Sequence, residues 1–219
     1  MLTSRDIAKM LDHSTLQPFL TEKDIRHGCE VAIKYGTATV CARPQDMEIV
    51  VPMLNGTGVL PCTVIGFPHG AHTMEIKAME AARALEDGCR ELDMVINIGA
   101  VKEGKYDRVL EEIRDVKSVC GSHILKVIVE TCFLTEEEKI QLCHVVTDSG
   151  ADYIKTSTGF GGGGATFEDV KLFAEHIGPG VKIKAAGGIA SMEDAERFIE
   201  LGASRLGTSR IVKLVKGEM

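Results

Sequence analysis

The sequence predicts an α/β fold, a single-domain (β/α)8 barrel spanning residues 1–219 with a short N-terminal helix. Three observations lead there. Eight strand-like runs alternate with helix-like runs along the whole chain, at intervals of roughly 20 to 30 residues. No composition shift or linker interrupts them, so one core is expected. No early strand is followed by a glycine turn of the dinucleotide type, which argues against an open doubly wound sheet.

The elements follow in order. A helix is predicted over residues 3–11, with Thr3 or Ser4 as its cap. Residues 12–16 read as the first strand, closed by Gln17-Pro18. Thr21 opens a helix that runs to Tyr35, and Gly36 stops it. The β-branched run 37–41 is the second strand, and a helix over 44–54 has Pro44 in its first turn. A strand over 59–66 leads to a helix over 73–87, stopped by Gly88. The fourth strand covers 91–97, and a helix over 104–119 ends at Gly121. The fifth strand, 124–130, precedes a helix over 135–149 whose Thr135 and Glu138 form a capping box. Residues 152–156 are the sixth strand, with a helix over 167–177 behind it. Residues 181–186 are the seventh, followed by a helix over 191–201 with Ser191 as cap. A very short eighth strand, 204–207, leads into a terminal helix.

Composition narrows the function classes. The chain is 44% apolar and 26% charged, an ordinary globular balance. Its net charge is -7, and no basic run is longer than two residues, so neither nucleic acid nor an anionic membrane is an expected partner. No stretch approaches the ~18 consecutive apolar residues of a membrane span. The N-terminus has early charges and no apolar signal core, so the cytoplasm is the expected location. The cysteines at 29, 41, 62, 89, 120, 132 and 143 form no C-x-x-C pair and read as reduced, mostly buried residues.

The chemistry collects around residues 150–164. There a strand carries Lys155 near its end, a polar run of Thr156, Ser157 and Thr158 follows, and a glycine tract closes the segment. Strands of a parallel sheet are covered on both faces, so a lysine here is paired, reactive or reaching for solvent. Active sites of such barrels lie at the C-terminal strand ends. The polar residues predicted there are Asp12, Asp93, Asn97, Glu130, Thr131, Lys155, Thr156 and Lys184. Alternation puts Asp93, Val95 and Asn97 on one face, with Asp93 deep and Asn97 at the mouth if that face is the lumen. Lys155 and Lys184 would then share one enclosed space with an aspartate. Taken singly, Lys184 reads equally as surface decoration beside Lys182, and Asp93 as a structural carboxylate.

Such a set has a specific use. A lysine of ordinary pKa, about 10.4, is almost wholly protonated at neutral pH and cannot attack a carbonyl. A second ammonium and desolvation favour the free amine. That amine forms a Schiff base with an aldehyde or ketone, while the carboxylate and second lysine move protons. Gly187 and Gly188 follow strand seven, and Gly207 and Ser209 lie at the end of strand eight. Barrels often bind phosphate with these two loops and a helix N-terminus. Other motifs are weaker. Residues 159–164 match G-x-G-x-x-G literally, but late in the chain and without the expected acid. His69, His72 and Glu75 lack the helical i, i+4 histidine pair of a metal site.

Seven blocks carry a resemblance that runs nearly end to end. They are LDHSTL from Leu11, GFPHG from Gly66, ELDMVINIGAVKEGKY from Glu91, KVIVET from Lys126, GADYIKTSTGF from Gly150, KAAGGI from Lys184 and RLGTS from Arg205. With these the chain resembles the deoxyribose-phosphate aldolase family. The resemblance implies a TIM barrel that splits 2-deoxy-D-ribose 5-phosphate into D-glyceraldehyde 3-phosphate and acetaldehyde, with no metal and no cofactor. It implies that Lys155 is the Schiff-base lysine and Lys184 the second lysine. Asp93 would be the proton donor and acceptor, and Asp12 the more peripheral aspartate. Gly159, Gly187, Gly188, Gly207 and Ser209 would hold the substrate phosphate. A homodimer or homotetramer is the expected assembly. The chain departs from the family in ending without the C-terminal tyrosine of some members, and in the run Gly161 to Gly164. That run leaves the order of the loop open. The competing expectations are another phosphosugar barrel aldolase or isomerase, or a sugar-phosphate binding protein without catalysis.

Overall fold

The structure is a computed structural model and describes residues 3–209. The strands are β1 (Leu11–Thr15), β2 (Thr39–Ala42), β3 (Leu60–Ile65), β4 (Glu91–Val95), β5 (Ile124–Ile128), β6 (Tyr153–Lys155), β7 (Lys182–Ala186) and β8 (Ala203–Thr208). Each pairs in parallel with the next, and β8 closes on β1, giving a closed barrel in sequence order. The helices are α1 (Ser4–Ala8), α2 (Glu22–Tyr35), α3 (Met47–Leu54), α4 (Met74–Glu86), α5 (Ile98–Lys102), α6 (Tyr106–Cys120), α7 (Glu136–Ser149), α8 (Phe167–His176) and α9 (Met192–Glu200). The predicted barrel and its short N-terminal helix are therefore present. The helix predicted after β8 lies outside the described residues. Among the described residues no helix is long and apolar enough to cross a membrane.

Local chemistry explains the boundaries. Thr135 accepts from Glu138 N while Glu138 accepts from Thr135 N, the predicted capping box of α7. Thr3 with Asp6, Thr21 with Asp24 and Ser191 with Asp194 form the same box on α1, α2 and α9. Gly36 takes a left-handed conformation after α2, as its stop position requires. Several predicted boundaries shift: the first helix ends at Ala8 and the fifth strand at Ile128, and two further differences bear on local chemistry. The helix expected from Pro44 opens as a 3-10 turn, Pro44–Asp46, before α3. The fourth strand ends at Val95, and Asn97 caps α5 by accepting from Ala100 N at 3.0 Å. An asparagine oxygen satisfies a free helix amide better than it serves a strand, so Asn97 is a helix cap and not the last residue of β4.

Alternation along the strands sorts two interiors. Leu92 and Met94 of β4, with Leu125 and Val127 of β5, join the apolar layer between sheet and helices. The other face of these strands carries Glu91, Asp93 and Lys126 into the lumen, where Lys126 pairs with both carboxylates. A buried ion pair braces the shell near the site. Lys77 of α4 donates to Glu112 of α6 at 2.7 Å and to Val95 O at 2.8 Å. Glu112 in turn accepts from Asn97 N at 2.9 Å, so the end of β4 is tied to both helices. Such a pair resists loss of one partner far more than it adds net stability.

His13 faces α2 from β1. A Cβ on Gly28 would stand 3.5 Å from His13 Nε2 and 2.5 Å from Thr15 Cγ2, so only glycine lets α2 approach this closely. His13 Nδ1 has no hydrogen-bond partner among the described residues. Burial pushes the imidazole down to about 4, and His27 adds repulsion. The folded chain thus keeps His13 neutral while the unfolded chain binds a proton below about pH 6.5, so stability falls as pH drops from there towards 4. Thermal unfolding followed by circular dichroism should lose about 2 kcal/mol of stability between pH 7 and pH 5. His13→Leu should remove most of that dependence; an unchanged slope would assign it to other groups.

Candidate active site

The polar lumen is built on Asp93. Its Oδ1 accepts from Lys126 Nζ at 2.8 Å. Its Oδ2 accepts from Lys155 Nζ at 2.7 Å and from Lys184 Nζ at 2.6 Å. Strand register explains the convergence. Asp93 lies opposite Lys126 on β5, and Lys155 lies opposite Lys184 on β7. Burial opposes the charge on Asp93, but Lys126, Lys155 and Lys184 together outweigh it and hold the carboxyl well below the usual range. Lys184 is 1% exposed, which excludes the surface reading, whereas Lys182 on the same strand is exposed. Burial likewise opposes its charge, yet Asp12 and Asp93 win and keep Lys184 protonated beyond the ordinary lysine range. Lys184 is therefore a fixed cation. It stands beside Lys155 with Asp93 Oδ2 shared between them.

Asp12 joins this network from β1 and is as fully buried as Asp93. It accepts from Lys184 through Oδ2 and from Arg205 at 2.7 Å through Oδ1, with Lys126 at 3.4 Å. Burial works against this carboxylate too, and Lys126, Lys184 and Arg205 overcome it.

Three members of the network were absent from the predicted site. Lys126 is fully buried and also pairs with Glu91 at 2.6 Å; Glu91 is bridged in turn by Arg205 at 2.9 Å. The signal for Lys126 was available, since alternation puts it with Ile128 on the face opposite Leu125 and Val127. Glu91 shares the face of Asp93 in the same way. Three carboxylates, Asp12, Glu91 and Asp93, thus face Lys126, Lys184 and Arg205, and the charges balance before Lys155 is counted.

Above the charged floor lies a cavity of about 290 Å³. Lys155, Thr158, Gly159, Gly187, Gly188, Gly207 and Ser209 all line it, with Ser14 and Phe160 among its other walls. All five residues predicted to hold phosphate therefore open onto the cavity that Lys155 enters. Gly187 and Gly188 have φ of +75° and +78°, a conformation that side chains disfavour. A Cβ on Gly207 would meet Lys184 Cε at 3.2 Å, so the glycine also leaves room for the lysine stem. The glycine-rich loop after β6 has a defined place. Ala165 N donates to Ala186 O at 3.0 Å, and a Cβ on Gly164 would stand 2.7 Å from the Gly187 carbonyl carbon. The loop is thus packed against the Gly187-Gly188 turn.

Among the described residues one set of metal-type donors lies close together, Cys41, Cys62 and Asp93. The ammonium groups already on Asp93 would repel a cation there. The cysteines are all free, and all but Cys132 are buried. Burial pushes the thiols of Cys89 and Cys143 up to about 12, which keeps them inert.

Comparison with known proteins agrees with this geometry. The profile of the DeoC/LacD family aldolases matches residues 7–209. A deoxyribose-phosphate aldolase of Clostridium botulinum (strain Eklund 17B / Type B) is 54% identical over 217 residues, covering 99% of this chain and 98% of the relative. A crystal structure described as a putative deoxyribose-phosphate aldolase from Coccidioides immitis superposes with a TM-score of 0.95 at 41% identity, over 99% of this chain and 87% of the other. The deoxyribose phosphate aldolase of Aeropyrum pernix, described as a unique tetramer, gives 0.90 at 32% identity, over 98% and 92% of the two chains. The chain belongs to the DeoC/LacD family of aldolases.

Proposed function

We propose that this chain is a deoxyribose-phosphate aldolase, reversibly cleaving 2-deoxy-D-ribose 5-phosphate to D-glyceraldehyde 3-phosphate and acetaldehyde through a Schiff base on Lys155. The observation that carries the reading is the position of Lys155. It donates to Asp93 beside the fixed cation Lys184, at the floor of a glycine-walled cavity.

The uncharged Lys155 amine attacks C1 of the open-chain sugar and forms a carbinolamine, which loses water to give an iminium ion. A base removes the proton of the C3 hydroxyl. The C2–C3 bond breaks, the new carbonyl leaves as D-glyceraldehyde 3-phosphate, and the electron pair stays on C2 of an enamine. Protonation of C2 and hydrolysis of the iminium release acetaldehyde and restore the amine. Asp93 and Lys184 are the groups placed to carry these protons, with Asp12 behind Lys184. A free Lys155 amine leaves the remaining six charged groups of the floor balanced. Backbone amides of the loops after β6, β7 and β8 receive the phosphate, around Gly159, Gly187, Gly188, Gly207 and Ser209. Assembly as a dimer or tetramer belongs to the same reading, in keeping with the tetramer described for the Aeropyrum pernix relative.

Borohydride reduction in the presence of acetaldehyde, followed by peptide mass spectrometry, should place an ethyl group on Lys155. An adduct confined to another lysine would sink the assignment. Gly188→Asp should weaken binding of deoxyribose 5-phosphate by tenfold or more through like-charge repulsion, as read by KM. Gly188→Ala controls for backbone strain at the same φ; equal effects of the two would deny an anion site there. Lys184→Leu removes the fixed cation and leaves Asp93 a stronger anion beside Lys155. Acetaldehyde trapping should then be slow at neutral pH and recover partly as pH rises. If wild type and variant share one pH midpoint, Lys184 acts in proton transfer or ligand contact alone.

A further inference from the structure

Glu130 has no role in the chemistry above, yet its placement is unusual. It is the non-glycine residue with positive φ among the described residues, at +56°. Val129 N donates to Lys155 O, and Thr131 N donates to Thr156 O. Two steps along the β5 side thus match one step along the β6 side, so Glu130 is an inserted residue between two rungs. Bulges of this kind re-aim a side chain and are common beside active sites. The re-aimed carboxylate is buried and, among the described residues, has no cation within ion-pair distance. Its close partners belong to Thr158, with the Cys132 thiol farther off, donating to Oε1 at 3.9 Å. Thr158 N donates to Oε1 at 3.2 Å and to Oε2 at 3.3 Å, and the Thr158 hydroxyl donates to Oε2. Gly161 closes over the carboxylate, since a Cβ there would stand 3.3 Å from Oε2.

This arrangement decides what Thr158 offers the cavity it lines. A threonine hydroxyl has one proton and two lone pairs. The proton goes to Glu130, and one lone pair accepts from Phe160 N at 3.0 Å. One lone pair remains, so Thr158 is an acceptor only. Thr158 stands between Lys155 and Gly159 in the chain, and all three line the cavity. On the substrate, C4 stands between the carbons that react and the C5 phosphate.

We propose that Glu130 is a positioning residue for substrate selection. It takes up the proton of Thr158 so that the hydroxyl accepts a hydrogen bond from the C4 hydroxyl of 2-deoxy-D-ribose 5-phosphate. That hydroxyl becomes the C2 hydroxyl of D-glyceraldehyde 3-phosphate. The inference rests on the aldolase reading above. A site built to bond a substrate hydroxyl discriminates against the analogue that lacks it, because its own polar group is left unpaired.

The test runs in the synthetic direction, adding acetaldehyde to D-glyceraldehyde 3-phosphate or to 3-oxopropyl phosphate, which lacks only that hydroxyl. Wild type should favour the hydroxylated acceptor by about tenfold or more in kcat/KM. Thr158→Val and Glu130→Gln should each shrink this preference to within about threefold. The double variant should be no worse than the single ones, because the two residues act as one unit. A purely structural role for Glu130 would lower both acceptors equally and leave the ratio intact. That result overturns the proposal, as does a wild-type ratio near one or a collapse with Thr158→Val alone. If Glu130→Gln does not fold, Glu130→Asp, whose shorter carboxylate draws back from Thr158, takes its place, and a retained preference overturns the proposal. Borohydride trapping of acetaldehyde on wild-type Lys155 involves no acceptor, so its failure would count against the aldolase reading instead.

Discussion

The carboxylate of Asp93 is the interaction on which the rest depends. Three buried ammonium groups donate to its two oxygens, from strands β5, β6 and β7. Each ion would cost several kcal/mol to bury alone. The cost is offset only because every cation finds an anion and every anion a second cation. Asp12 and Glu91 complete the set with Lys126, Lys184 and Arg205. A barrel lumen is usually filled by layers of branched apolar side chains. Here part of that packing is replaced by charge, and the stability forgone is the condition for holding the Lys155 amine in a sheltered place.

The shell supports that floor and shapes the space above it. The Lys77–Glu112 pair holds the end of β4 through Val95 O and Asn97 N, which fixes the strand that carries Asp93. Glycines at 164, 187 and 188 let two loops pack backbone to backbone over the cavity. Charged chemistry below and bare backbone above suit a substrate that reacts at one end and carries a phosphate at the other.

Much of this was legible in the chain. Regular alternation and cap residues such as Thr135, Ser191 and Gly36 announced the barrel. Lys155, Lys184 and Asp93 stood out because charge at a covered strand end demands a partner. Lys126 could have been placed by its alternation with Leu125 and Val127, but it lies inside its strand and not at the end where the site was sought; Arg205 lies likewise inside β8. Asn97 was misplaced because a strand end and a helix cap look alike in a run that continues without a break. The order of the glycine tract after β6 stayed open, since nothing in it reveals that Gly164 meets Gly187. The turn of Glu130 into the left-handed region was hidden for a different reason: glutamate is not a residue that signals such a turn.

The central claim is that Asp93 and its lysines form one acid–base unit around the Lys155 amine. Its direct measure is exchange of the acetaldehyde methyl protons with deuterium in D2O, followed by nuclear magnetic resonance without any acceptor aldehyde. Exchange requires both the Schiff base and proton transfer at C2. Wild type should exchange the methyl group rapidly, and Asp93→Asn, with its fold verified by circular dichroism, should slow exchange by a hundredfold or more. Exchange at the wild-type rate in Asp93→Asn would contradict the account.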